Sequence, residues 1–262
     1  MGRGRCGLVL LLIGMGGCAR SQFNLATQQE EYTVTSTDRE VAMGRTLAHR
    51  VQEELTLVPD ESLRERVSTI GRRIVAVCDR QELVYSFAVV EDKDVNAFSL
   101  PGGYVFLNRG LIDKTASDDE LAGVIAHEVA HIAARHAIKR YESSLGMQLV
   151  QLATLAARSG SAARGMGVAM RAAQLAYARQ DELEADRLGV KYMKAAGLNP
   201  QAMLTFLEKI RELHQEKTAY LPRGVVRPQY GFTHPFVPER IRAVKEALFG
   251  VADYIDYLNS PN

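Results

Sequence analysis

Residues 124–136 read VIAHEVAHIAARH. His127 and His131 enclose Glu128 in the pattern H-E-x-x-H. On an α-helix, a separation of four residues is one turn of rise and about 40° of rotation. Both imidazoles therefore leave the same side of the helix and can grip one metal ion, with Glu128 beside them as a general base for a water. The neighbours Val124, Ile125, Ala126, Val129, Ala130 and Ile132 are apolar on every side. A helix of that kind is buried, and buried histidine and glutamate need polar partners. The stretch thus demands a fold in which other elements wrap this helix and bring polar groups to it. The competing reading is a surface helix with incidental histidines, and the apolar flanks argue against it. If the helix continues, His136 lies nine residues from His127 and faces the opposite side. It is read as a polar-face residue outside the site.

A catalytic zinc takes three protein ligands and keeps one position open. The best further carboxylate lies in YARQDELEADRLGV, residues 177–190. There Glu182, Ala185, Asp186 and Gly189 share one helical face, and the small residues allow close packing on another helix. Glu182 is the candidate third ligand. Asp186, one turn on, can accept the free N–H of a ligand histidine. Glu184 falls on a different face, where it is solvated or paired with Arg187. Taken alone, Glu182 and Asp186 would be an ordinary charged face, and it is the H-E-x-x-H upstream that gives them a role.

The remaining pattern is mostly helical around a small sheet, an α+β class. Ser36 to Leu57 and Pro59 to Cys78 carry apolar residues at helical spacing. Residues 83–92 alternate and are rich in β-branched and aromatic residues, which predicts a strand. Residues 96–112 predict strand, Pro-Gly-Gly turn and strand. Ser117 and Glu120 predict a capping box at the start of the H-E-x-x-H helix, with helix continuing over 137–157. Residues 158–167 predict a loop or hinge, 168–196 a long helix closed by Gly197 and Pro200, 200–217 another, and 239–249 the last. Balanced charge, 32 basic against 31 acidic side chains, gives no case for a nucleic-acid partner.

The N-terminus is of another kind. Arg3 and Arg5 precede an apolar run from Gly7 to Met15 and small residues beyond it, the outline of a secretory signal peptide over 1–17. Met15-Gly16-Gly17-Cys18 resembles the lipobox of bacterial lipoproteins, in which Cys18 would carry the lipid. Met15 and Gly16 depart from the preferred Leu and Ala or Ser. Ala19 is not the Asp that favours inner-membrane retention, so the resemblance implies a lipid anchor in the outer membrane, facing the periplasm. A soluble periplasmic protein is the alternative. Residues 18–36 are polar without periodicity and read as a tether, leaving 37–262 as a single domain. With Cys6 removed and Cys18 lipidated, Cys78 stands alone and can form no internal disulfide.

H-E-V-A-H, then E-L-E-A-D with its E-x-x-x-D core, then T-H-P followed by R-I, together with N-A-F-S-L-P-G-G-Y-V-F, resemble metallopeptidase family forty-eight. These are the gluzincins that include HtpX-like heat-shock proteases, CAAX-prenyl proteases and mitochondrial Oma-like proteases. The resemblance covers about residues 40–250. It implies one zinc ion held by His127, His131 and Glu182, Glu128 as general base, and Asp186 as the family's acid. His234 and Arg240 match its downstream H-P…R motif. There the histidine helps stabilise the oxyanion or, in resting forms, approaches the zinc. From the residues alone, His234 is a His-Pro in a long loop and no more. Leu100, Gly102, Gly103, Tyr104 and Val105 resemble the edge strand along which gluzincins lay an extended peptide, a backbone-led mode that tolerates many sequences. Neither the several membrane spans of some members nor the helical-repeat domain of others is expected from these residues. It looks most similar to short outer-membrane lipoprotein members.

The implied function is a zinc endopeptidase of the cell envelope acting on unfolded or misassembled proteins. Two alternatives stand beside it. One is a chaperone-like partner of the outer-membrane assembly machinery with a mostly resting zinc site. The other is a narrow processing protease.

Overall fold

The computed structural model describes residues 20–145, 160–219, 234 and 237–250. At its centre is α4 (Asp118–Ala133), which carries H-E-x-x-H. Ser117 caps it, its Oγ accepting from Glu120 N at 3.2 Å, and Asp118, Asp119 and Glu120 fill the first turn, where the helix dipole favours negative charge. The expected capping box is displaced by one residue. The Glu120 carboxylate accepts from Ala116 N (2.7 Å), and also from Thr205 Oγ1 and Lys209 Nζ, so the cap also ties α4 to a later helix. From Leu121 to Ala133 nearly every side chain is buried, as the apolar pattern requires.

Three helices and a sheet wrap α4. They are α2 (Glu61–Val75), α6 (Gly160–Ala195), α7 (Gln201–Ala219) and the sheet of β3 (Ser86–Val90), β4 (Ala97–Leu100) and β5 (Tyr104–Asn108). The sheet order is β3-β5-β4, with β3 parallel and β4 antiparallel to β5. β4 is thus the edge beside α4, and β5 is central. This corrects the expectation of one edge strand running from Leu100 through Val105. Leu100 ends the edge strand, Gly102 and Gly103 form the turn at φ +76° and +106°, and Tyr104 and Val105 lie on the paired strand. Only glycine adopts those two conformations in succession without steric cost.

Helix α6 approaches α4 through Gly189, where an added Cβ would stand 3.4 Å from His127 N. The helix closes as expected, with Gly197 at φ +66° and Leu198 N donating to Met193 O at 3.0 Å, a Schellman end. It begins at Gly160, so residues 160–167 are helical rather than loop. Residues 158–159, 146–157 and most of 220–236 lie outside the described residues. Short α3 (Arg109–Ile112) follows β5, and α8 (Val237–Phe249) packs on α6 and α7. Among the described residues no helix is long and apolar enough to cross a membrane.

Two further expectations are corrected. The segment read as a tether forms a hairpin, β1 (Arg20–Asn24) with β2 (Gln29–Thr33), ahead of α1 (Thr37–Glu54). Its inner face is held by polar contacts: Asn24 and Thr27 donate to Glu31, Lys139 pairs with Glu31 at 2.7 Å, and Thr33 donates to Glu142. Hydrophobic periodicity does not register a segment docked this way. The H-E-x-x-H helix also stops earlier than expected. Arg135 adopts φ +59°, and a separate helix, α5, spans 136–145. The left-handed turn is held by Arg135 Nε donating to Glu40 Oε2 (2.9 Å) and Nη2 donating to Thr35 O (2.7 Å). Arg80 Nη1 donates to Glu40 Oε1 (2.9 Å), completing a buried Arg–Glu–Arg cluster.

Candidate metal centre

The H-E-x-x-H turn of α4, the first E-x-x-x-D position of α6 and the segment before α8 meet at one point. His127, His131, Glu182 and His234 each offer one donor atom, all within 4.8 Å of one another. His127 Nε2 lies 3.0 Å from His131 Nε2 and 3.2 Å from His234 Nδ1. Glu182 Oε2 lies 3.0 Å from His234 Nδ1 and 3.3 Å from His127 Nε2. Three imidazole nitrogens and a carboxylate oxygen crowded in a buried pocket are borderline and hard donors of the type that divalent zinc prefers.

The charges agree with that use. Burial, aided by the nearby His127, pushes His131 well below the usual histidine range, so its ring stays neutral and its lone pair free. Burial opposes the charge on Glu182, but His234 and His127 overcome it and hold the carboxyl far below the ordinary range. Burial likewise opposes the charge on His234, and the carboxylates of Glu128 and Glu182 reverse this, raising it to about 10.

Asp186, fully buried, takes the other side of His127. Its Oδ1 lies 2.8 Å from His127 Nδ1. Arg240 grips Asp186 with two bonds, Nε to Oδ2 at 2.9 Å and Nη2 to Oδ1 at 2.8 Å, and its Nη1 lies 3.6 Å from Glu182 Oε2. The expected pairing of Asp186 with a ligand histidine is therefore present in the geometry. Arg240 reaches the same histidine both through Asp186 and directly, its Nη2 lying 3.2 Å from His127 Nδ1.

Burial opposes the charge on Glu128, and His234, His127 and Ser99 outweigh it and hold the carboxyl below the ordinary range. Glu128 is 1% exposed, yet neither carboxylate oxygen has an aligned hydrogen-bond partner. His234 Nε2 stands 3.1 Å from Oε1, but off the line a hydrogen bond needs. An ionised, buried carboxylate without an aligned hydrogen bond retains acceptor capacity for a water or a substrate group. Glu128 lines a cleft with His127, His234 and Arg240, walled by apolar side chains such as Val124, Leu111 and Phe206. With four converging donors and an orphaned base at the mouth of a cleft, the residues fit a bound metal ion.

His136 and Glu184 escaped the sequence reading. His136 is 1% exposed rather than on a polar face, with Nδ1 2.8 Å from His131 Nδ1 and Nε2 3.1 Å from Glu184 Oε2. Glu184 pairs there rather than standing in solvent or with Arg187. The signal was present: His131 in an apolar helix needs a partner for its second nitrogen, and His136 is at hand once the helix is allowed to end. Cys18 lies outside the described residues.

The family profile of peptidase family M48 matches residues 61–248. The beta-barrel assembly-enhancing protease of Yersinia pestis is 30% identical over 216 residues, 79% of this chain and 43% of that protein. A putative beta-barrel assembly-enhancing protease of Vibrio cholerae is 31% identical over 238 residues, 84% of this chain and 47% of its own length. The mitochondrial metalloendopeptidase OMA1 of Schizosaccharomyces pombe is 30% identical over 182 residues, 70% of this chain and 52% of that protein. The chain thus spans about half the length of these relatives or less.

Proposed function

Because this chain belongs to peptidase family M48, we propose that it is a zinc-dependent endopeptidase whose ligands are His127, His131 and Glu182 and whose general base is Glu128. The observation that carries the reading is Glu128 itself, buried and unsatisfied beside a four-donor cluster and facing a cleft. Zinc, when bound, supplies Lewis-acid polarisation of the attacking water and the scissile carbonyl. The chain's own groups do the rest. Glu128 takes a proton as water adds to the carbonyl carbon, and passes it to the nitrogen that leaves as the C–N bond breaks. His234, with Nε2 3.1 Å from Glu128, can turn a ring N–H toward the developing oxyanion. An extended substrate would lie along β4, the strand at the edge of the sheet beside α4, and bind through its backbone. Glu128→Gln should keep zinc and lose cleavage of unfolded casein; digestion at the wild-type rate would refute the assignment.

The biological role we propose is quality control of unfolded or misassembled proteins in the bacterial envelope, with the chain secreted and lipid-anchored at Cys18. Two of the relatives above bear names that refer to β-barrel assembly. Incorporation of labelled palmitate that survives in Cys18→Ala would remove the anchor.

A second reading rests on His234. It occupies the place in the donor set that a catalytic zinc leaves open. A protein resting in that state would bind clients and cleave rarely. Comparing zinc-loaded wild type with His234→Ala separates the readings: a rise in proteolysis marks a plug, and a fall marks an oxyanion donor.

A further inference from the structure

His131 has two ring nitrogens, and the donor set uses one. Nε2 faces the cluster, 3.0 Å from His127 Nε2 and 3.5 Å from Glu182 Oε1. Nδ1 faces the other way and meets His136 Nδ1 at 2.8 Å, with the two rings 74° apart. At that separation the two nitrogens share one proton, so one ring donates and the other accepts. The direction is set from the far side. His136 Nε2 stands 3.1 Å from Glu184 Oε2, and an ionised carboxylate only accepts. His136 therefore carries its hydrogen on Nε2 and offers a bare Nδ1. His131 must donate to it through Nδ1–H, which leaves the His131 Nε2 lone pair aimed into the cluster. The opposite tautomer of His136 would place the hydrogen on His131 Nε2 and close that ligand to any cation.

We propose that Glu184 and His136 are a positioning pair that fixes the tautomer and ring angle of His131, as Asp186 does for His127. The inference rests on the reading of the cluster as a metal site. Its geometry depends on the left-handed turn at Arg135. A continuous helix would carry His136 to the opposite side from His127. The turn instead starts α5 with the His136 ring folded back against His131, in a position only 1% exposed. Glu184 arrives two residues beyond Glu182 on α6, so a single helix provides both a ligand and the support of another ligand. The nearby Asp181 does not compete for the role. Its Oδ1 is 3.8 Å from His136 Nε2, and its Oδ2 accepts from Arg140 Nε at 2.7 Å. Groups that orient ligand histidines typically matter about 10–100-fold in metal affinity.

The test is zinc affinity measured by chelator competition on the full chain, with the visible spectrum of the cobalt-substituted protein as a second readout. Asn places its amide oxygen where His136 has Nδ1, and Leu fills the same space without an acceptor. His136→Leu should weaken zinc binding about 10–100-fold and alter the cobalt bands, whereas His136→Asn should recover most of both. Glu184→Ala, at a side chain one-third exposed, should fold normally and lose affinity several-fold. Equal losses in His136→Leu and His136→Asn would overturn the proposal, because packing alone would then explain them. Wild-type affinity in Glu184→Ala together with His136→Leu would also overturn it. Failure of the wild-type chain to bind zinc at one equivalent would instead refute the metal-site reading itself.

Discussion

The Arg240–Asp186 clamp allows a magnitude to be worked out and checked. Asp186 is fully buried, and its two oxygens have three contacts: Arg240 Nε at 2.9 Å, Arg240 Nη2 at 2.8 Å and His127 Nδ1 at 2.8 Å. Arg240→Leu removes the first two and keeps most of the side-chain volume. Hydrogen bonds to charged groups contribute roughly 1.5–3 kcal/mol each, and stripping one partner from a buried ion pair costs about 3–5 kcal/mol. We therefore expect a loss of about 4 kcal/mol, a large share of the roughly 5–15 kcal/mol that holds a typical domain together. Urea unfolding in the presence of a chelator measures it without a contribution from bound metal. The cause can be isolated. If the loss comes from an uncompensated carboxylate, adding Asp186→Asn to Arg240→Leu should restore about 2 kcal/mol, since a neutral amide is cheaper to bury alone. Arg240→Lys should fall between wild type and Arg240→Leu, because an ammonium keeps the charge and loses the two-pronged grip. A loss below about 1 kcal/mol in Arg240→Leu, or a double variant whose losses simply add, would refute the reasoning.

Three further outcomes are expected. Gly44→Ala puts a Cβ 1.8 Å from Pro101 O, a backbone atom that cannot yield, so overpacking of about 1–3 kcal/mol should outweigh the helix-propensity gain of about 1 kcal/mol; stability equal to wild type in urea would contradict this. Glu142 holds the N-terminal hairpin by accepting from Thr33 Oγ1, Val34 N and Thr35 N. Burial raises its pKa, but these bonds outweigh burial and hold the carboxyl below its ordinary value. A lowered folded pKa means the contribution is present above the unfolded value of about 4.3 and is lost as pH falls through the folded one. Hydrogen exchange in residues 20–33 should therefore accelerate on acidification below about pH 4 and be fast and pH-independent in Glu142→Gln, once intrinsic exchange is divided out. Removing zinc buffered a thousandfold above its dissociation constant should withdraw about 4 kcal/mol and lower Tm by roughly 8–16 °C, and an unchanged Tm would argue against a site of useful affinity.

The centre of the fold was legible because its constraints are local. Four residues of spacing place His127 and His131 on one side of a helix whatever surrounds it. The apolar residues from Leu121 to Ala133 require burial in any compact arrangement, and Ser117 with three acidic residues after it marks a helix start. Glu182 and Asp186 were recoverable for the same reason. Ala185 and Gly189 lie on their face, and α6 approaches α4 at that face. The strands β3, β4 and β5 were legible from alternation and the Pro-Gly-Gly turn. Their order was not, because β3 and β5 pair in parallel across residues 91–103, and no short-range pattern encodes that partnership.

What escaped the sequence was set by buried charge at long range. Glu40 lies on α1, 95 residues before Arg135, and nothing near either residue announces that they meet. Yet this contact supports the left-handed conformation at Arg135, a conformation that costs a non-glycine residue roughly 1–3 kcal/mol and needs surroundings that enforce it. Arg80 shares the same carboxylate, so Glu40 is the shared partner of two buried arginines. Reading the helix as continuous was reasonable from propensity, since Ala-Ala-Arg-His contains no breaker. That reading sent His136 to the wrong side and left Glu184 without a role. The left-handed turn at Arg135 thus decides the place of both residues. A buried ion cluster of this kind is a weak source of net stability. Here its work is directional: it ends a helix at a point where local sequence would have continued it, and thereby turns an imidazole back toward His131.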